Sequence, residues 1–347
     1  MTKERNGPPD ERPVPRTVET VKDDLDSYII TSRSGLERIT AADLAKVKFL
    51  PLQWAVPGLL PQGTAVVAGA PKVGKSAFAL NLCVAVATGG KAFGKFEVEQ
   101  GDALYFALED GGYRRVQERL NMQLNGEPPP ERLHIVTEMK RLDEGGDFQL
   151  EVELSDLPDV RLIVIDTLQR VRSASSRTRQ LYEQDYESVA MLTRIAGEYG
   201  VNITLIHHTR ELKADDWLDT VTGSRGLSAA VDTILVTERG RGSADAVMRT
   251  VGRDFPEAEH AFSIDFGTMT WKFLGDATLA QLSVERRDVI AAVAVSRPMT
   301  PTQIAEVTGL KVNNLYRLVG RMTDDGLLKN HGDGTDGPSY LKELSNE

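Results

Sequence analysis

Residues 69–76 read Gly69-Ala70-Pro71-Lys72-Val73-Gly74-Lys75-Ser76, or GAPKVGKS, and the reading of these eight positions decides the fold. They fit G-x-x-x-x-G-K-[ST], a pattern in which glycines let successive backbone N–H groups curl around phosphate oxygens. The context agrees: the apolar run TAVVAGA (64–70) leads into the loop, and SAFALNLCVAVATG leaves it with helical texture. A helix that opens at the loop adds about half a positive charge at its N-terminus. Gly69, Ala70, Pro71, Lys72, Val73, Gly74, Lys75, Ser76 and Ala77 are therefore expected to hold ATP. In that arrangement Lys75 bridges the β and γ phosphates, and Ser76 ligates Mg2+.

Outward from the loop, five more apolar runs follow: DALYFAL (102–108), LHIVTE (133–138), RLIVID (161–166), NITLIHH (202–208) and DTILVTE (232–238). Short continuous apolar strands that alternate with helices indicate an α/β fold, a mainly parallel sheet covered on both faces. In the segment 179–200, Leu181, Val189, Leu192, Ile195, Ala196 and Tyr199 form one helical stripe, and Gly200 ends it. Residues 245–274 carry AVMRTVG, AFSIDF and MTWKFLG, which read as sequential antiparallel strands at a sheet edge. Past Gly275, three short helical segments and a glycine-rich hairpin give the winged-helix pattern. The expected organisation is a flexible tail over 1–35, an ATPase domain over 36–275 and a small winged-helix domain over 280–345.

Composition narrows the function. The 41 basic and 51 acidic residues leave a net charge of −10, so attraction to nucleic acid must come from local patches. The lone Cys83 allows no intrachain disulfide, which suits a reducing cytoplasm. Charges and prolines fill the first 24 residues, MTKERNGPPDERPVPRTVETVKDD, and no stretch approaches the ~18 apolar residues of a membrane span.

The strand RLIVID ends in Asp166, whose carboxylate is expected to hold the Mg2+ water shell. Hydrolysis also needs a group that orients and deprotonates water. Glu109, at the end of DALYFAL, is the candidate, delivered beside the γ phosphate by the strand next to the phosphate-loop strand; Asp110 competes with it. In TLIHHTR (204–210), His207 and His208 end an apolar strand with no partner at metal-ligand spacing.

Taken together, GAPKVGKS, LYFALEDG, LIVIDTL, TLIHHTR and GSRGLSAAVDTILVTER resemble the RecA-like core of hexameric helicases. The resemblance covers roughly residues 50–275 and is nearest to the plasmid RepA helicase group and its phage relatives, with DnaB more distant. It implies a RecA-like P-loop NTPase core that assembles as a homo-oligomeric, hexameric ring. It places the catalytic base at the glutamate after the second strand, in agreement with Glu109. It puts a polar sensor of the γ phosphate at His207 or His208, with His207 the first choice. Arginine fingers that reach a neighbouring subunit fall on Arg225 or Arg253.

TLQRVRSASSRTRQ carries Arg170, Arg172, Arg177 and Arg179 with no acid between Thr167 and Tyr182, which suits a loop touching single-stranded DNA. The next loop holds Trp217, a residue that could stack on a base. Lys311, Asn313, Asn314, Arg317 and Arg321 line an acid-free helical segment that could enter DNA, although the same domain could serve protein contacts. The expected function is an ATP-dependent, ring-forming motor on single-stranded DNA, a replicative helicase of a plasmid, phage or mobile element with possible replication partners. A RecA/RadA-like recombination or repair ATPase and a nucleotide-gated DNA-binding regulator are the alternatives.

Overall fold

Parallel strands cannot be joined by tight turns, so a chain of this pattern must cross over the sheet between strands. The computed structural model describes residues 28–32, 34–109, 112–173, 181–208, 217, 226–239, 245–277, 284–293, 298–324, 327–334 and 337–342. One nine-stranded sheet dominates it. Its strands are β1 (Gly63–Gly69), β2 (Asp102–Ala107), β3 (Leu133–Val136), β4 (Val160–Asp166), β5 (Asn202–His208), β6 (Thr233–Arg239), β7 (Asp245–Gly252), β8 (Ala258–Asp265) and β9 (Thr270–Asp276). Their order is β9-β8-β7-β6-β1-β5-β4-β2-β3. Every neighbouring pair from β3 to β6 is parallel, and β7 pairs antiparallel with β6 and β8.

One expectation about this order fails. The strand that carries Glu109, β2, does not lie beside the phosphate-loop strand, because β5 and β6 occupy both hydrogen-bonding edges of β1. Two strands, β5 and β4, separate β2 from β1.

From Lys75 onward the helices of this unit are α1 (Lys75–Thr88), α2 (Tyr113–Leu124), α3 (Gly146–Asp156), α4 (Leu168–Val171), α5 (Leu181–Tyr199) and α6 (Gly226–Ala230) among the described residues. Because side chains alternate across a pleated strand, each central strand feeds two cores. Val67, Ala103, Tyr105, Leu162, Val164 and Ile206 pack on the α1 side. Val66, Leu104, Ile163, Ile165, Ile203 and Leu205 pack on the side of α3 and α5. At roughly 1.5–3 kcal/mol for each fully buried aliphatic side chain, these two layers supply the main drive for the fold.

The first helix is apolar nearly all round, with Phe78, Leu80, Leu82, Cys83 and Val86 fully buried. Such a helix must be covered on more than one side. An aromatic cluster does so: Phe78 stacks on Phe93 at 4.6 Å between ring centroids and meets Trp271 edge-on at 5.2 Å. The helix that starts at the phosphate loop is thus held between the sheet and this cluster.

Contacts divide the chain into two units, Met1–Leu274 and Gly275–Glu347. The second contains α7 (Val284–Val293), α8 (Pro301–Thr308), α9 (Val312–Asp324) and the hairpin β10 (Leu328–Gly334) with β11 (Gly337–Lys342). Thr300 opens α8 with a reciprocal cap to Gln303, and Pro301 takes the first turn, where a missing N–H costs nothing. Leu315, Val319 and Met322, spaced four and three apart, turn one face of α9 into the unit's core. Lys311 before the helix and Asn313, Asn314, Arg317 and Arg321 on it remain exposed. No helix among the described residues is long and apolar enough to cross a membrane.

Candidate functional site

The site is built at the C-terminal ends of the parallel strands, where open α/β sheets bind ligands. At the end of β1, Gly69 meets the β6 backbone so closely that a Cβ would lie 2.8 Å from the Thr237 carbonyl oxygen. Lys72 and Gly74 then adopt left-handed backbone, with φ of 64° and 102°. Turns of this hand form anion-binding concavities of backbone N–H groups. Gly74 rests on the indole of Trp271, where a Cβ would stand 3.2 Å from Cζ2.

Lys75 is only 5% exposed. Its Nζ donates to the Gly69 carbonyl at 2.7 Å and the Ala70 carbonyl at 2.9 Å, and lies 3.2 Å from His208 Nδ1. Burial pulls its pKa from 10.5 down to about 8, against the opposing pull of Asp166 and Glu109. A buried ammonium in contact with carbonyls and a ring nitrogen is a cation still short of negative charge, so the loop fits a polyphosphate.

Asp166 ends β4 and is 4% exposed, and the Tyr105 hydroxyl donates to its Oδ2 at 2.8 Å. Both residues fall on the α1 side of the sheet by the strand alternation. Ser76, in the first turn of α1, is half-buried. A hard-oxygen pair of hydroxyl and carboxylate fits a Mg2+ ion that takes its other ligands from phosphate and water.

Glu109 lies beyond β2, and it reaches the site even though its strand is remote from β1. Its Oε1 accepts from the Thr167 hydroxyl at 2.9 Å, and its Oε2 lies 3.8 Å from His208 Nε2. Thr167 directly follows Asp166 and is 2% exposed. Because an ammonium can only donate, His208 Nδ1 accepts from Lys75, and the neutral ring then carries its proton on Nε2, toward Glu109.

The histidine pair resolves against the order of preference drawn from the sequence. His208, not His207, stands against Lys75, because Ile206 and His208 share the α1 face of β5 and His207 takes the opposite one. His207 borders a small cavity of about 80 Å3 that Thr167, Arg172, Asp185 and His208 also line. Burial pushes its pKa down to about 4; the positive charges of Arg172 and Lys75 act in the same sense, and Asp185 opposes them.

The arginines divide. Arg172 is drawn inward, since its Nη1 donates to Asp185 Oδ1 at 2.8 Å with the carboxylate side chain only 4% exposed. It faces the protein, not a channel. Arg170 is exposed. Arg253 pairs with Asp232 at 3.0 Å within the chain, while its side chain keeps 64% exposure. Trp217 donates its indole N–H to Glu257 at 3.0 Å and packs on the α5-side core, so it is not a free stacking surface. Asp110, Arg177, Arg179 and Arg225 lie outside the described residues.

Tyr105, Thr167 and Trp271 escaped the sequence reading. A signal existed for two of them: Tyr105 and Glu109 share the parity of β2, and Thr167 is the first residue after the strand-end aspartate. Trp271 had none, since it comes from β9, at the far edge of the sheet.

A phosphate loop on a central parallel strand, with an aspartate at the end of β4 and a glutamate beyond β2, defines a nucleotide-binding protein of the RecA-like P-loop fold. The family model of the AAA domain matches residues 31–214, more than half of the chain, and the chain belongs to that family. Among solved structures, a DnaB-like replicative helicase, solved with its interactions with primase, gives a TM-score of 0.51 and 15% identity over 74% of this chain and 67% of the other. A solved ATPase domain superposes with a TM-score of 0.50 and 15% identity, covering 61% of this chain and 85% of that domain. The RadB recombinase gives 0.46 and 17% identity over 62% and 92%. At these identities the first two likenesses show a shared fold. No curated protein matches the sequence significantly.

Proposed function

We propose that this chain hydrolyses ATP and works as a ring-forming motor on single-stranded DNA, the task of a replicative helicase of a plasmid, phage or other mobile element. The observation that carries the reading is the chain of contacts Lys75–His208–Glu109–Thr167, which ties the phosphate loop to a carboxylate from a strand three places away.

The loop amides and Lys75 hold the β and γ phosphates. Ser76 and Asp166 would hold Mg2+, which when bound neutralises charge on the phosphate oxygens. Glu109, its carboxylate oriented by Thr167, takes a proton from the attacking water as the bond from water oxygen to γ-phosphorus forms and the β–γ bridging bond breaks. ADP leaves with the electron pair of that bond. His208, in contact with both Lys75 and Glu109, senses whether the γ phosphate is present, since a phosphate competes with it for the ammonium.

An arginine from a neighbouring subunit would complete the charge balance in a hexameric ring, with Arg225 or Arg253 in that role. Arg253 would have to exchange its Asp232 partner, and its exposure permits that. Arg170, with Arg177 and Arg179, would meet DNA, and the C-terminal unit, of winged-helix type, would present Lys311 and Arg317 to a partner. The test is ATP turnover with and without single-stranded DNA, followed by unwinding of a forked duplex. Stimulated turnover with unwinding is expected; stimulation without unwinding would mark a recombination-type ATPase, and turnover indifferent to DNA would end the motor reading.

A further inference from the structure

We infer that a second site, a bay beside Glu109, grips the sugar–phosphate backbone of a nucleic-acid strand through Lys140 and Arg141, so that strand and hydrolytic carboxylate share one cavity. The bay is an open depression of about 650 Å3 lined by Lys140, Arg141 and Arg170, by Glu109 and Glu144, and by Gln169. It lies where β2, β3 and β4 deliver their C-terminal connections. Its volume falls in the range of ligand-binding clefts.

Three observations point to a phosphate-bearing polymer. First, the bay's three cations are exposed, and no ion pair of theirs with another described residue occupies them. Arg114, Arg132 and Arg194, also exposed in this unit, lie against carboxylates.

Second, the backbone that presents Lys140 and Arg141 is fixed. Lys140 N–H donates to Gln149 Oε1 at 2.9 Å, and the Arg141 carbonyl accepts from Glu144 N and Gly146 N, both at 2.9 Å. Leu142 is 1% exposed and pins the segment to the core. Gly146 allows this close turn, because a Cβ there would collide with the carbonyl oxygens of Lys140 and Arg141. Two adjacent cations are thus displayed on an ordered turn, which lowers the entropy cost of binding an anion.

Third, the cations come from two separate elements, the β3–α3 connection and α4, with Glu109 and Glu144 in the same wall. A compact polyanion would meet those carboxylates. A linear backbone, whose charges are spaced, can pass along the cations, as in the grooves of single-strand binders.

The inference rests on the motor reading, and one experiment separates the two. Binding of a fluorescent single-stranded oligothymidylate is followed by anisotropy across a salt series for the full chain and for Lys140→Ala/Arg141→Ala. Affinity for a fluorescent ATP analogue serves as the fold control. Two lost phosphate contacts should lower the log–log salt slope by about 1.4, so that the variant binds about 25-fold more weakly than the wild type at 0.1 M salt if the two are equal at 1 M. A variant with the wild-type slope and affinity overturns the bay and leaves the motor intact. A wild-type chain that binds no strand overturns both. Equal displacement by millimolar inorganic phosphate assigns the bay to a free anion and overturns the strand assignment. Gly146→Ala, which keeps both cations and shifts their turn, should fall between the two.

Discussion

Lys75 titrates near neutrality in the free protein, and ATP binding should therefore take up a proton. The cause is geometric: the ammonium is buried at the root of the phosphate loop, and its contacts are carbonyls and the His208 ring. Its shift from 10.5 to about 8 corresponds to roughly 3 kcal/mol in favour of the neutral amine. A bound polyphosphate returns the missing negative charge and raises the pKa again. Only the protonated form binds phosphate well, so affinity is full below pH 8 and declines above it. From pH 7 to pH 9 the protonated fraction falls from about ten elevenths to about one eleventh, so ATP affinity should weaken about tenfold. Near pH 8 about half a proton should enter per nucleotide bound. Calorimetry in buffers of different ionisation enthalpy reads both quantities. Lys75→Arg, whose guanidinium stays charged throughout, should show no such dependence if it binds. Constant affinity from pH 7 to pH 9, or proton release on binding, would refute the account of a desolvated lysine.

Two further outcomes follow from the neighbouring residues. His207 holds a pKa of about 4 in the fold against 6.5 when unfolded, so the unfolded chain binds the extra proton between those values and stability drops as pH falls through that window. Unfolding free energies from urea titrations at pH 7 and pH 5 should differ by roughly 1–2 kcal/mol more in the wild type than in His207→Gln; an equal difference would mean that the ring is not held neutral. Thr167→Val removes the hydroxyl that orients Glu109 and should lower kcat about tenfold or more with KM little changed, while Thr167→Ser recovers the rate. A loss confined to KM would place Thr167 in binding instead.

Much of the fold was legible because its signals are local. GAPKVGKS needs glycine where φ turns positive, and that demand appears at Gly74 within the loop itself; Gly69 answers to the approach of β6. The six parallel strands were legible because strands buried on both faces must be apolar without alternation. The site was legible only in part. Its residues could be nominated one by one, but their mutual placement depends on contacts between distant segments.

The sequence by itself determined that a phosphate loop opens a helix, that an α/β sheet of continuous apolar strands surrounds it, and that an aspartate and a glutamate stand near strand ends. Tertiary structure alone decided the rest. Pleat phase chose His208 over His207 for the lysine, since neighbouring side chains on a strand face opposite cores. Strand order put β2 three places from β1, yet let Glu109 reach back to His208 and Thr167. The carboxylate of Asp185, on α5, turned Arg172 from an apparent DNA contact into an internal partner. Each of these depends on which surface meets which, a relation between residues far apart in the chain, and local residue preferences carry no record of it.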